Sequence, residues 1–211
     1  MSRRGSGVGS AVKATDRPGP GRPASGARER ILDACLEVLK SDGYAGLSLA
    51  KVAAASGQNK ALITYHFGSK SGLVVAAARE LGDYVSGRIL AGLEGASTVE
   101  EIVRGASAGV WEIVDRDERL PRVYFDLSAV SVVDDEIRSV MREVKQGFRD
   151  VLRRLLIAVS DPLPAPRIAP FSVLVIAGLE GLLLERIERG ESPELAQARE
   201  LFARTMTAAA E

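Results

Sequence analysis

The stretch Leu47–Lys70, LSLAKVAAASGQNKALITYHFGSK, constrains the fold more than any other part of this chain. Ser48 can cap a short helix, its hydroxyl accepting an orphan backbone N–H of the first turn. Leu49, Val52 and Ala53 then recur at i, i+3, i+4 and form one buried stripe. Ser56-Gly57-Gln58 interrupts that helix after about two turns, and Asn59 can cap a second one. On the second helix Ile63 and Phe67 lie four apart and face inward, which leaves Lys60, Ala61, Thr64 and Tyr65 pointing outward. Two short helices joined by a tight glycine turn make a helix-turn-helix, whose second helix is narrow enough to enter a DNA major groove.

The rest of the chain keeps the helical period. Ile31, Cys35, Val38 and Leu39 predict a first helix from Ala27 to about Ser41, closed by Asp42-Gly43. A fourth helix is expected from Ser69–Lys70 to about Leu93. Thr98 opens another to about Val114, with Glu100 and Glu101 in its first turn, where the helix dipole favours negative charge. Further helices follow over Leu120–Val133, from Asp134-Asp135-Glu136 to about Val159, over Ile168–Ile187 and over Pro193–Ala209. No strand alternation runs longer than a few residues, so the fold class is all-α. The expected organisation is a basic, disordered arm over 1–24, a helix-turn-helix domain over 25–70 and a second helical domain over 71–211. The arm is rich in Gly, Ser, Pro and Arg and has too little apolar area to fold alone. It reads either as a solvated tail or as a segment that reaches DNA phosphates or the minor groove.

Charge is unevenly placed although it sums to zero. Through Gly72 there are 11 Lys/Arg against 5 Asp/Glu, and beyond it 17 against 23. A basic front suits a phosphate backbone there and nowhere else on the chain. Cys35 is the only cysteine, which rules out an intrachain disulfide and thiolate clusters, and its apolar neighbours mark it as a buried inert thiol. His66 is the only histidine, so any triad or histidine metal site would have to use a residue of the groove-reading helix. There is no GxxxxGK[ST] loop and no strand–GxGxxG–helix unit. We therefore expect no enzyme, no metal and no cofactor. The longest apolar run, near Phe171–Ile176, is too short for a membrane helix, and residues 1–24 lack a signal-peptide core, which predicts a cytoplasmic protein.

Gly57, Asn59, Ile63, His66, Phe67, Ser69 and Lys70 stand at spacings that resemble the signature of the tetracycline-repressor-like (TetR) transcriptional regulators. The resemblance covers residues 25–80, and beyond it only helix pattern and length agree. Gln58 and Asn59 replace the common Val and Ser, and Thr64 replaces a common Tyr or Asn. With the second helix in the groove, Lys60 can donate to guanine, Ala61 and Leu62 can touch thymine methyls, and Thr64 can reach a base or a phosphate. Ser48, Tyr65, His66 and Lys70 match positions that contact phosphates in that family, and Asn59 sits at the start of the reading helix. The plain alternatives are Leu62 as core, Tyr65 as a cover over Ile63, and His66 as a packed interior histidine.

The resemblance also implies a small-molecule pocket among the later helices and dimerisation through the last two. Trp111, Tyr124, Phe125 and Phe148 are the large side chains available to such a pocket, or to an ordinary core. Phe171–Leu184, FSVLVIAGLEGLLL, is apolar on more than one side. It is either a fully buried helix or, as half-site reading favours, a dimer face. That face would use Phe171, Leu174, Gly178, Leu179, Gly181 and Leu182, completed by Leu201 and Phe202. The implied function is a homodimeric repressor on a palindromic operator, released by a small molecule.

Overall fold

A computed structural model of the chain describes residues 26–210; the expected arm, 1–24, lies outside them. The described residues contain nine helices: α1 (Ala27–Gly46), α2 (Leu49–Ser56), α3 (Lys60–Phe67), α4 (Lys70–Ala91), α5 (Val99–Arg116), α6 (Leu120–Val130), α7 (Asp135–Ala158), α8 (Ala165–Arg189) and α9 (Pro193–Ala208). Among them there is no strand, and the fold is all-α.

Side-chain caps set most of the helix starts. Thr98 and Glu101 form a reciprocal capping box at α5, in which each side chain takes the other's backbone N–H. Asp134 accepts from Glu136 and Ile137 at α7, and Ser192 accepts from Leu195 at α9. α1 runs past its expected end, but Gly43 departs from helical geometry inside it with φ 67, so the break falls where Asp42-Gly43 predicts it. α6 stops at Val130, and Val132 and Val133 form an exposed turn instead of a last helical turn. α8 starts earlier than its apolar period suggests, because Pro166 stands in the first turn, where a missing N–H costs nothing.

Two buried clusters hold the chain together. The first joins Ile31, Cys35, Leu39, Val52, Ile63, Leu73, Val74 and Ala77 to Val123, Leu127, Ile137, Val140 and Met141. It runs without a gap from the helix-turn-helix into α6 and α7, and α4 is the element common to both sides. The second joins Ile102, Val103, Leu152, Leu156, Phe171, Val175, Leu179 and Ala203, from α5, α7, α8 and α9. Gly82 lets α7 approach α4, since a Cβ there would stand 3.0 Å from Val144.

α8 differs from the expectation drawn from its apolar run. By length and composition this helix is apolar enough to cross a membrane, and only 28% of its most apolar stretch is buried. Interrupting residues such as Ser172 and Glu180 shorten the runs without removing the overall apolar character.

Candidate functional site

The helix-turn-helix is built from its caps and two anchors. Ser48 Oγ accepts the Lys51 N–H at 3.3 Å, and Asn59 Oδ1 accepts the Leu62 N–H at 2.8 Å. Gly57 closes α2 in the left-handed region, φ 67, a conformation that costs an L side chain strain. Val52 and Ile63 are fully buried and fix α2 and α3 against α1 and α4. On the opposite face of α3, Lys60, Ala61 and Thr64 are exposed, and Tyr65 is 78% exposed.

Several residues expected at DNA have other occupations. Ser48 and Asn59 spend their side chains on capping. Leu62 is half-buried against the first core, since it lies one residue from the anchor Ile63. His66 is half-buried between the rings of Tyr65 and Phe67, and its Nε2 is buried with no hydrogen-bond partner among the described residues. Lys70 turns inward: its Nζ donates to the Tyr44 carbonyl at 3.0 Å and lies 4.5 Å above the Tyr44 ring. Arg28, which sequence reasoning passed over, stands exposed with its guanidinium 5.6 Å from the Phe67 ring. No local pattern marks it, because only the tertiary fold brings the start of α1 beside the end of α3.

A polar seam ties this domain to α6. The Tyr44 N–H donates to Asp126 Oδ2 at 2.6 Å, and the Tyr44 hydroxyl reaches Asp134 at 3.4 Å. Lys40 on α1 bridges Glu37 at 2.7 Å and Asp117, in the α5–α6 turn, at 2.9 Å. Burial alone would lower the Lys40 pKa, but the two carboxylates together outweigh it and raise it.

Behind the seam, α4–α8 enclose a cavity of about 130 Å³. Its wall includes Leu81, Val85, Val110, Leu127, Leu155 and Ile176, with Tyr124 and Phe148 among the aromatics. Trp111 and Phe125 do not line it. Trp111 is buried under the Arg199 guanidinium, 4.1 Å from its ring, on the α9 side of α5. Phe125 is half-buried, with its ring centroid 5.4 Å from that of Tyr124. Glu180 reaches the cavity from α8 and accepts from the Tyr124 hydroxyl, with Lys145 Nζ at 3.3 Å from its Oε1. The sequence carries a signal for this residue, since Glu180 is the one charge in Phe171–Leu184.

The outer surface of α8 carries Val173, Leu174, Ala177, Gly181 and Leu184 in exposed positions at helical spacing. Leu174 is 57% exposed, and Leu201 on α9 is 63% exposed. Phe171 and Leu179, expected on this face, belong instead to the second core, since with Val175 they step by four residues along the inner side. Gly178 and Phe202 meet each other within the chain: a Cβ at Gly178 would stand 2.2 Å from Phe202 Cε2. Leu182 is half-buried.

An all-α chain that presents one exposed face of a capped reading helix is a helix-turn-helix DNA-binding protein in its fold. More narrowly, residues 31–77 match the family of bacterial regulatory proteins named tetR, and the chain carries the DNA-binding domain of that TetR family. A curated relative, the HTH-type transcriptional regulator BetI 1 of Chromohalobacter salexigens, is 25% identical over 119 residues, which is 54% of this chain and 57% of that protein. The match therefore spans little more than half of the relative's length. Solved structures match further. A TetR-family transcriptional regulator from Rhodococcus sp. superposes with a TM-score of 0.75 at 22% identity, covering 89% of this chain and all of that one. The FadR regulator from Bacillus subtilis, solved in complex with stearoyl-CoA, gives 0.70 at 15% identity over 85% and 97% of the two chains.

Proposed function

We propose that this protein is a transcriptional regulator that binds a palindromic operator as a homodimer, acts as a repressor, and is released by a small molecule. The roles divide along the chain: residues 25–70 read DNA, and 71–211 hold the effector and the dimer contact. The observation that carries the reading is the exposed face of α3, where Lys60, Ala61, Thr64 and Tyr65 project from a helix fixed behind by Ile63. Lys60 is assigned to a base edge, and Tyr65 and Arg28 to the phosphates. DNA and the reading helix meet in the cytoplasm.

Two further observations support the rest. The unpartnered apolar stripe of α8, continued by Leu201 of α9, is an area that a second copy would cover, and it sets two reading helices at a fixed spacing. The cavity beneath α6 gives an effector a place next to the element that touches the DNA-binding domain. A ligand that prefers one spacing of the reading helices shifts the population toward it by its differential affinity. That the same fold holds stearoyl-CoA in the Bacillus subtilis relative supports its use as a ligand binder.

Selection of duplexes from a random library, followed by titration at several salt concentrations, tests the DNA reading. The logarithm of the affinity is expected to fall linearly with the logarithm of salt, and the selected sites to be palindromic. Failure to retain any duplex even at low salt sinks it.

A further inference from the structure

We propose that the cavity takes a lipophilic amine, an apolar body ending in a protonated nitrogen, and that Glu180 and Tyr124 receive that nitrogen. The inference rests on the effector reading above and deepens it by naming the chemistry of the ligand.

Among the described residues the wall is apolar except at Ser86, Tyr124 and Glu180, and Glu180 is the only charged side chain in it. The Tyr124 hydroxyl spends its proton on Glu180. Burial and then that carboxylate push its pKa up, so the phenol stays neutral and leaves oxygen lone pairs free. The second oxygen of Glu180 takes a long bond from Lys145 Nζ at 3.5 Å, and a carboxylate oxygen has a further lone pair to offer. The Tyr124–Glu180 end of the cavity therefore presents acceptors, and a matching ligand must bring a donor. Two cations stand outside this wall and offset part of the carboxylate's charge. Lys145 approaches Glu180 at 3.3 Å and the Tyr124 ring at 5.6 Å, and Arg149 lies close enough to act on Tyr124, yet neither lines the cavity. A ligand ammonium arriving from inside would meet a carboxylate and an aromatic face in apolar surroundings, where charge-assisted bonds are strong. A ligand carboxylate or phosphate would meet a like charge.

Size narrows the class further. About 130 Å³ is near the volume at which a buried apolar cavity accepts one benzene ring, so a single ring with a short chain enters with little rearrangement. Longer bodies must part α4 from α6 and α7, and these are the helices that share the first core with the DNA-binding domain.

Calorimetry on the full chain with three probes of one skeleton, 4-phenylbutylamine, 4-phenylbutyrate and butylbenzene, tests the proposal. The amine is expected to bind about tenfold tighter than the carboxylate, the factor a charge-assisted hydrogen bond confers. Glu180→Gln keeps an acceptor for Tyr124 but removes the charge. It should bring amine and carboxylate within about threefold and leave butylbenzene unchanged. A carboxylate that binds as well as the amine overturns the proposal, and so does an amine preference that survives Glu180→Gln. Butylbenzene binding without amine preference sinks the ligand class alone. If none of the three binds, the effector reading falls with it. Should the variant fail to fold, the amine-to-carboxylate ratio of the unaltered protein decides by itself.

Discussion

Lys60 and Ile63 sit within one turn of each other and do opposite work. Ile63 is fully buried and holds α3 in place, while Lys60 is exposed and free to reach a base edge. Lys60→Ala is expected to cost about 1–3 kcal/mol on the selected operator and to relax preference at one base pair, read by competition binding against single-base variants. A uniform loss across all sequences would move Lys60 to the phosphates. Cys35 shows the buried extreme. It has no exposed surface, and burial pushes its thiol up to about 12. The folded protein should therefore resist alkylation by iodoacetamide at about pH 8, while the denatured chain reacts completely, as mass spectrometry would record. Alkylation of the native protein would show that α1 opens far more readily than its packing allows.

At the scale of the element, the join between α3 and α4 sets how the reading helix is presented. Ser69 caps α4 by accepting the Gly72 N–H at 2.9 Å, and a Cβ at Gly72 would stand 2.2 Å from the carbonyl oxygen of Phe67. The last carbonyl of one helix thus rests on the first turn of the next. Gly72→Ala is expected to destabilise the fold by about 1–3 kcal/mol, measured by chemical denaturation, because the obstructing atom is backbone and cannot swing aside. Serine, threonine, asparagine and aspartate caps explain why most helix starts were legible in the sequence: a cap acts on the backbone of its own first turn. The end of α6 was less legible. Val132 and Val133 extend the apolar character of the helix, yet with Ser131 they form a turn that only the entry into α7 dictates.

In the molecule as a whole, α6 stands between the two proposed activities. Leu120, Pro121, Tyr124 and Leu127 line the cavity, and Asp126 on the same helix holds the Tyr44 N–H. Asp126→Ala should leave ligand affinity in place while reducing the ligand's effect on operator affinity by about 0.5–2 kcal/mol, seen by titrating DNA with and without ligand. An undiminished response would place the coupling elsewhere. The apolar stripe of α8 belongs to this scale as well. Leu174→Asp is expected to yield monomers by analytical ultracentrifugation and to weaken operator binding by at least about tenfold. A dimer of normal affinity would refute the assignment of this face.

The sequence by itself determined the all-α class, the helix-turn-helix and the outward positions of Lys60, Thr64 and Tyr65, because these follow from a helical period and local caps acting over a few residues. It could not decide which apolar side chains look inward at one another. Phe171 and Leu179 read like Leu174, yet only Leu174 stays exposed; Trp111 reads like Tyr124, yet only Tyr124 meets the cavity. Only the tertiary structure separated them, since hydrophobicity says that a side chain leaves water and says nothing of which neighbour it finds. The same holds for Lys70: the family resemblance puts it at the phosphates, and only the fold shows that its Nζ lies against the Tyr44 carbonyl and ring.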